Sequence, residues 1–292
     1  MKTWKNSYHT YAMITIASWG LAFVFSRIAL MEIHDTTLGL LRNGIASIAL
    51  IFVIYLFKIP VFERKDTLKF MLSGATGFFL FLLTYNKGTQ FVSAGTSSVV
   101  MATVPIFTAL MASVLYQEKL RWFQWIAILM MFGGILLLTK GQGGVNANQG
   151  IIWLLLASLC LSVYNIIQKR LTKKYSPLQV SVYSILLGTI PFLFFLPRAI
   201  PEIKTFSLPL IGIVLTLGLV SSALAYVSWA KAFSLAENTS QVSNYMFITP
   251  ILATVFGIFI IQEIPDPHFL LSAGVILFGL LLFNKGHLVF RR

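Results

Sequence analysis

Charge is what this sequence has least of. Only 11% of its 292 residues are Asp, Glu, Lys or Arg, where a soluble globular domain carries about 25%. Nine residues are acidic. None falls in the middle of an apolar run: Glu32, Asp35, Glu118, Glu237, Glu263 and Asp266 all stand where such a run begins or ends. A water-dissolved fold is excluded, and so is a catalyst built on carboxylates buried in the membrane. Cysteine is nearly absent. Cys160 is the single one, inside an apolar run, which excludes an intrachain disulfide and a cysteine metal cluster. It reads as a small packed residue. Histidine is scarce too. His9, His34, His268 and His287 lie near the ends of apolar runs without metal-ligand spacing. No metal and no cofactor are expected.

What is present is hydrocarbon. The chain is 57% hydrophobic, with a mean hydropathy of +0.83. A helix needs ~20 apolar residues to cross a bilayer. Scanning at that length gives ten spans: Thr10–Met31, Leu38–Phe57, Leu68–Asn86, Ala94–Tyr116, Trp122–Leu138, Gly150–Gln168, Leu178–Leu196, Leu208–Ala230, Val242–Gln262 and Phe269–Phe283. The first is longer than the apolar core of a signal peptide and no small-residue cleavage site follows it, so it reads as a membrane helix. An all-α integral membrane protein of ten transmembrane helices is expected, with no room for a soluble domain.

The net charge of +13 sits in short clusters between the spans, which indicates membrane orientation rather than a nucleic-acid face. With the N-terminus inside, the cytoplasmic segments hold Lys2, Lys5, Lys58, Arg64, Lys65, Lys69, Lys119, Arg121, Lys169, Arg170, Lys173, Lys174, Lys285, Arg291 and Arg292. The outer loops hold only Lys140, Arg198 and Lys204. Both termini are therefore expected in the cytoplasm of a cell with this protein in its cytoplasmic membrane.

One helix is written twice. "VPIFTALMASVLYQE" (Val104–Glu118) and "TPILATVFGIFIIQE" (Thr249–Glu263) align at an offset of 145, which superposes Pro105 on Pro250 and Glu118 on Glu263. At the same offset Gly134 meets Gly279. The expected organisation is a first five-helix repeat over residues 1–139, an external linker over 140–149 and a second repeat over 150–292. Five crossings are odd, so the second repeat is expected upside down relative to the first. Inverted repeats of this kind mark transporters with a binding site near the midplane.

Proline has no N–H and clashes with the carbonyl four residues back, here those of Met101 and Met246. A carbonyl freed at mid-membrane must face protein or a polar cavity. Small polar residues surround both, including Ser98 in the fourth span and Ser243 and Asn244 at the ninth. Two kinked helices lining a central pathway is the reading that follows, against ordinary close packing of small residues. Trp19 and Phe23 share a face of the first span, and Trp19 is deeper than an interfacial belt residue. Tyr85, Tyr164, Tyr226, Trp229 and Tyr245 also fall within spans. Arg42 lies about two turns inside the second span and has no counterpart in the second half. It either pairs with Glu263, snorkels to headgroups or contacts a ligand directly. Lys87 and Lys231 close the third and eighth spans, where they snorkel or line the pathway mouths. Glu118 and Glu263 cap or bridge their helix ends at opposite faces.

"SWGLAF" (Ser18–Phe23), "LLRNGIASIAL" (Leu40–Leu50), the paired Lys-small helix ends and the duplicated proline-to-glutamate helix together resemble the drug/metabolite transporter superfamily, and within it the EamA-like permeases. The resemblance covers essentially the whole chain. It implies ten helices, alternating access and a cavity lined by the first, third, fourth, sixth, eighth and ninth helices. It also implies substrates such as amino acids, nucleobases, vitamins or drugs, often exported. Leu21 and Ala22 stand where the family pattern has Ser-Asn. The leading expectation is a carrier of small metabolites, most of all an amino-acid-like exporter. A channel is disfavoured because it needs no inverted pseudo-symmetry, and an embedded enzyme because catalytic groups are missing at mid-membrane. Without an intramembrane carboxylate, facilitated transport or exchange is expected rather than proton coupling. The expected partners are a small-molecule substrate and the lipid bilayer, with no nucleic acid, and the chain is expected to act as a monomer or weak homodimer.

A cysteine placed at Asn146 should react with a membrane-impermeant reagent in intact cells. Reaction only after lysis would reverse the orientation.

Overall fold

The structure is a computed structural model and describes residues 7–117, 119–141, 145–236, 242 and 244–289. Every element among them is helical. Nine helices among the described residues are long and apolar enough to cross a membrane: Tyr8–Glu32, Asp35–Phe57, Arg64–Thr89, Ala94–Tyr116, Trp122–Lys140, Asn148–Leu171, Pro177–Ile203, Leu208–Leu235 and Pro267–Gly286. A shorter apolar helix, Tyr245–Ile261, stands ninth in chain order. The protein is thus an all-α integral membrane protein. Its exposed large side chains, among them Ile51, Phe52, Phe194, Phe259 and Phe278, face outward as lipid contacts. The interior is rich in buried hydroxyls such as Ser47, Ser73, Ser184 and Thr189, which bond between helices: Ser73 with Ser184 at 2.7 Å and Ser47 with Thr189 at 2.8 Å.

Helix starts follow local chemistry. The hydroxyls of Ser93, Ser176 and Ser207 accept the N–H of Thr96, Gln179 and Leu210, which satisfies a donor that a first turn otherwise leaves unpaired. The fourth helix is interrupted. It stops at Met101 and restarts at Val104, because Pro105 has no N–H for the Met101 carbonyl. In the first turn of the new segment that missing N–H was never needed. The ninth helix repeats the arrangement: a 3-10 turn over Asn244–Ile248 precedes an α-segment from Thr249, with Pro250 in its first turn.

More features come in pairs. The fourth and ninth helices each end on a glutamine in the left-handed region, Gln117 at φ 55° and Gln262 at φ 53°. The third helix contains a π-helical segment, Ala75–Leu80, and the eighth contains Leu219–Leu224. Neighbours are paired as well. The first helix packs on the eighth and ninth, as the sixth packs on the third and fourth; the fifth lies along the tenth.

Two expectations need correction. The seventh helix does not stop at Leu196 but continues to Ile203. Pro191 forces a 3-10 stretch over Ile190–Phe195, and Pro197 then opens a fresh α-segment. Residues 140–149 are mostly helix rather than connector, since the fifth helix runs to Gly141 and the sixth begins at Val145.

The third and seventh helices cross at two glycines. A Cβ on Gly74 would stand 2.6 Å from the Ser184 carbonyl oxygen and 2.7 Å from the Gly188 nitrogen. Backbone cannot yield as a flexible side chain does. Gly74→Ala should therefore cost about 1–3 kcal/mol, read as a lower melting temperature in detergent. Gly274→Ala, with nothing within 4 Å of its added carbon, should leave the melting temperature unchanged or raise it, because alanine is the better helix former.

Candidate functional site

The two π-helical segments meet the second helix at consecutive residues. Arg42 donates from Nε to Ser222 Oγ at 3.0 Å in the eighth helix. Asn43 donates from Nδ2 to the Phe78 carbonyl at 3.4 Å in the third. A π-turn disturbs the regular ladder of backbone bonds and is frequent at functional sites; here polar side chains from the second helix cover both. Arg42 is 7% exposed. Tyr85 and Tyr226 lie within electrostatic reach of its guanidinium.

Aromatic rings build the surroundings. Trp19 meets Trp229 at 5.3 Å and Tyr226 at 5.7 Å between ring centres. Phe78 meets Tyr226 at 5.2 Å and Tyr164 at 5.4 Å, and Phe23 meets Tyr85 edge-on at 5.7 Å. Tyr85 and Tyr164 are buried, whereas Trp19, Phe23, Tyr226 and Trp229 are half-buried and keep ring surface accessible. Such faces can hold an apolar group or a cation.

The other sequence candidates are placed differently. Ser98 gives its hydroxyl to the Gly95 carbonyl at 2.7 Å, and the Met101 sulfur accepts from Ser158 in the sixth helix at 3.5 Å. Both face packing rather than the aromatic cluster. Tyr245 contacts the imidazole of His9 at the start of the first helix. Lys231 is exposed. Lys87 lies 3.9 Å from Asp35. Glu118 and Ser243 lie outside the described residues, as does the side chain of Asn244. The Arg42–Glu263 pair and the snorkelling alternative are both corrected. Arg42 is buried at the π-segments, and Glu263 is met instead by Arg27, 3.9 Å away. The reason is packing: the first helix, not the second, lies along the ninth. Arg27, Asn43 and Ser222 were missed in the sequence. A charge inside an apolar run was visible at Arg27; π-segments leave no residue pattern to read.

Arg27 belongs to a cluster where the first, third, fourth and ninth helices converge. Its Nη1 donates to the carbonyls of Thr89 at 3.2 Å and Gln90 at 2.6 Å. Glu263 Oε2 accepts the Ala94 N–H at 2.9 Å. At the same end Asn86 donates to the Asp35 carbonyl at 2.9 Å, and Glu202 accepts the His34 N–H at 3.1 Å. The opposite end is tied elsewhere. Asp66, ahead of the third helix's first α-turn, accepts from Lys174 at 2.8 Å and Tyr175 at 2.7 Å beyond the sixth. Arg170 donates to the Tyr116 hydroxyl at 2.9 Å.

The sequence pattern of the EamA-like transporter family matches residues 6–140 and again 148–285. The chain belongs to this family. It is 30% identical over 282 residues to the uncharacterized transporter YdfC of Bacillus subtilis, covering 95% of this chain and 92% of that one. It is 27% identical over 280 residues to a probable terminal-alkyne amino-acid exporter of Streptantibioticus cattleyicolor, covering 96% and 94%. An S-adenosylmethionine uptake transporter of Rickettsia prowazekii is 24% identical over 278 residues, covering 95% and 92%. A crystal structure with 15% identity superposes at a TM-score of 0.66 over 98% of this chain and 100% of that one, which shows the shared fold. This EamA-like protein is a transporter and not an enzyme.

The cluster around Arg27 closes one end of the transporter loosely. Arg27 Nε is buried without a hydrogen-bond partner, so the pair with Glu263 is poised rather than locked. Burial holds the Glu263 carboxyl above its ordinary value, against the pull of the Ala94 N–H and of Arg27. Opening this end would hydrate Glu263 and return it toward about 4.3. The closed arrangement then binds the proton more tightly. Closure gains as pH falls from the raised value to the ordinary one, and loses that gain as pH rises again. A cysteine replacing buried Ser97 reports this in a Cys160→Ala background. Its reactivity with a soluble maleimide, relative to a cysteine at exposed Thr205, should fall severalfold on acidification. Glu263→Gln should flatten that response although Asp35, His34 and Glu202 remain at this end. An unchanged pH response in Glu263→Gln would remove the carboxyl from the closure.

Proposed function

We propose that this EamA-like transporter moves amino-acid-like metabolites out of the cell by alternating access between two inverted five-helix halves. In this reading both termini are cytoplasmic, the segment near residues 140–149 lies outside, and the substrate sits at the π-segments. The half-buried aromatic cluster of Trp19, Phe23, Tyr226 and Trp229 carries the reading, because it offers accessible ring faces beside a buried polar centre. Relatives support the substrate class. One is named for an amino acid, and S-adenosylmethionine itself carries an α-amino-acid group. The uptake activity named for that second relative favours import as the alternative direction.

Counterflow in proteoliposomes tests the function. Vesicles preloaded with an unlabelled amino acid should accumulate the labelled one from outside. Exchange of nucleobases or vitamins but of no amino acid would replace the substrate class; exchange of nothing would remove the carrier reading. The interrupted helices give a sharper expectation. Alanine restores the N–H that proline lacks and favours a continuous helix. Pro105→Ala and Pro250→Ala should both express and both slow counterflow. If the halves are inverted, the two variants bias cysteine accessibility toward opposite faces. Bias toward the same face would show that the duplicated helices are not equivalent.

A further inference from the structure

The centre of the bundle holds a cation that no acid among the described residues answers. The Arg42 guanidinium gives one hydrogen bond, from Nε to Ser222. Its two terminal amino groups meet no hydrogen-bond acceptor among the described residues, and no carboxylate oxygen there comes within 4.0 Å of it. Buried cations in membrane proteins usually pair with acids or with backbone carbonyls. A single hydroxyl compensates poorly for a desolvated charge. A second polar group in the same cluster is buried: the Tyr164 hydroxyl lies within reach of Ser181 and Gln168. Its ring packs on Phe78, and Phe78 packs on Tyr226 beside the arginine.

We propose that Arg42 is the carboxylate anchor of the transported substrate. The inference rests on the transport reading above and adds the chemical group that is recognised. The two terminal amino groups of a guanidinium match the two oxygens of a carboxylate, which a lysine ammonium does not. Ser222 fixes the fork by holding Nε, and leaves the outer edge for the ligand. The Trp19 and Trp229 rings, half-buried alongside, take the rest of the molecule. A consequence follows for the transport cycle. The empty site keeps an uncompensated charge in the bundle and the loaded site does not, so the loaded carrier reorients more readily. Exchange should therefore outpace net flux.

The test uses the full chain in nanodiscs and four probes with one aromatic body: phenylpropionate, phenylalanine, phenylalanine methyl ester and phenethylamine. Both acids should raise the melting temperature, and the ester and amine should bind at least about tenfold more weakly. Arg42→Gln should abolish that preference. Its unliganded melting temperature should be unchanged or higher, because a buried unpaired charge is gone; an arginine that merely holds the fold would lower it. Arg42→Lys should bind the acids more weakly than the native protein despite its charge. Ser222→Ala, which frees Nε but keeps the cation, should weaken acid binding and lower the unliganded melting temperature, because the buried donor loses its partner. An ester that binds as tightly as the acid, or an acid preference that survives Arg42→Gln, overturns the assignment. Proteoliposomes loaded with the same four probes separate the two readings. Exchange of the ester or amine as readily as of the acids keeps the carrier and discards the anchor. Failure of all four to bind or exchange discards the anchor and the amino-acid reading together.

Discussion

An unpaired peptide group in hydrocarbon costs several kcal/mol, and the whole chain is arranged around that cost. Long helices satisfy their own backbone, so they can face lipid on any side. The break in the fourth helix and the π-segments of the third and eighth are instead met by polar side chains from neighbours. At the break before Pro105, Ser162 of the sixth helix donates to the Val104 carbonyl at 3.0 Å. At the third helix's π-segment, Asn43 reaches the Phe78 carbonyl. At the eighth helix's π-segment, Thr15 donates to the Ala225 carbonyl at 3.1 Å, and Ser221 donates to the Ser18 carbonyl at 3.0 Å. The polar interior of this transporter is thus a consequence of its irregular backbone. The same residues that repair the helices are those that make a hydrophilic centre available.

The repair is economical and leaves the helices able to move. A continuous helix transmits force as a rod. A helix interrupted at Met101–Val104, or carrying a π-turn, has a point where the two parts are coupled by fewer backbone bonds. Such points sit inside the third, fourth and eighth helices, while the ends are joined by charge. One end is gathered by Arg27, Glu263 and Asp35, the other by Asp66 and Lys174. Hydroxyl bonds between helices are short-ranged and replaceable by water, which in the proposed carrier would let either end separate.

Much of this was legible in the sequence, because apolar length and repetition survive any folding detail. The ten spans, the membrane class and the family all follow from hydrocarbon runs and from one duplicated helix. Pro105 and Pro250 announced a disturbed helix, since the missing N–H is written in the residue itself. What stayed hidden were relations between helices. Nothing about Arg42 in isolation says that Ser222, far away in the chain, stands opposite it. Glu263 was given the wrong arginine because depth in the membrane was the only coordinate a sequence supplies; which helix packs on which is the other. The π-segments were illegible because an extra residue in a turn needs no special side chain. Pro191 was legible as a breaker, yet not that Pro197 would restart the seventh helix.

Duplication and its exceptions do different work. In the proposed carrier, a frame whose breaks, caps and π-turns recur in matched pairs would offer two related arrangements of similar energy. Two states of similar energy are what a carrier needs, and small differential interactions then decide which is populated. Those interactions must come from residues that the duplication lacks. Arg42 is such a residue: no arginine occupies the corresponding part of the seventh helix. Glu263 is matched in sequence by Glu118 and so belongs to the frame rather than to its exceptions. In the proposed carrier the matched residues would set the shape of the motion, and the unmatched Arg42 what triggers it.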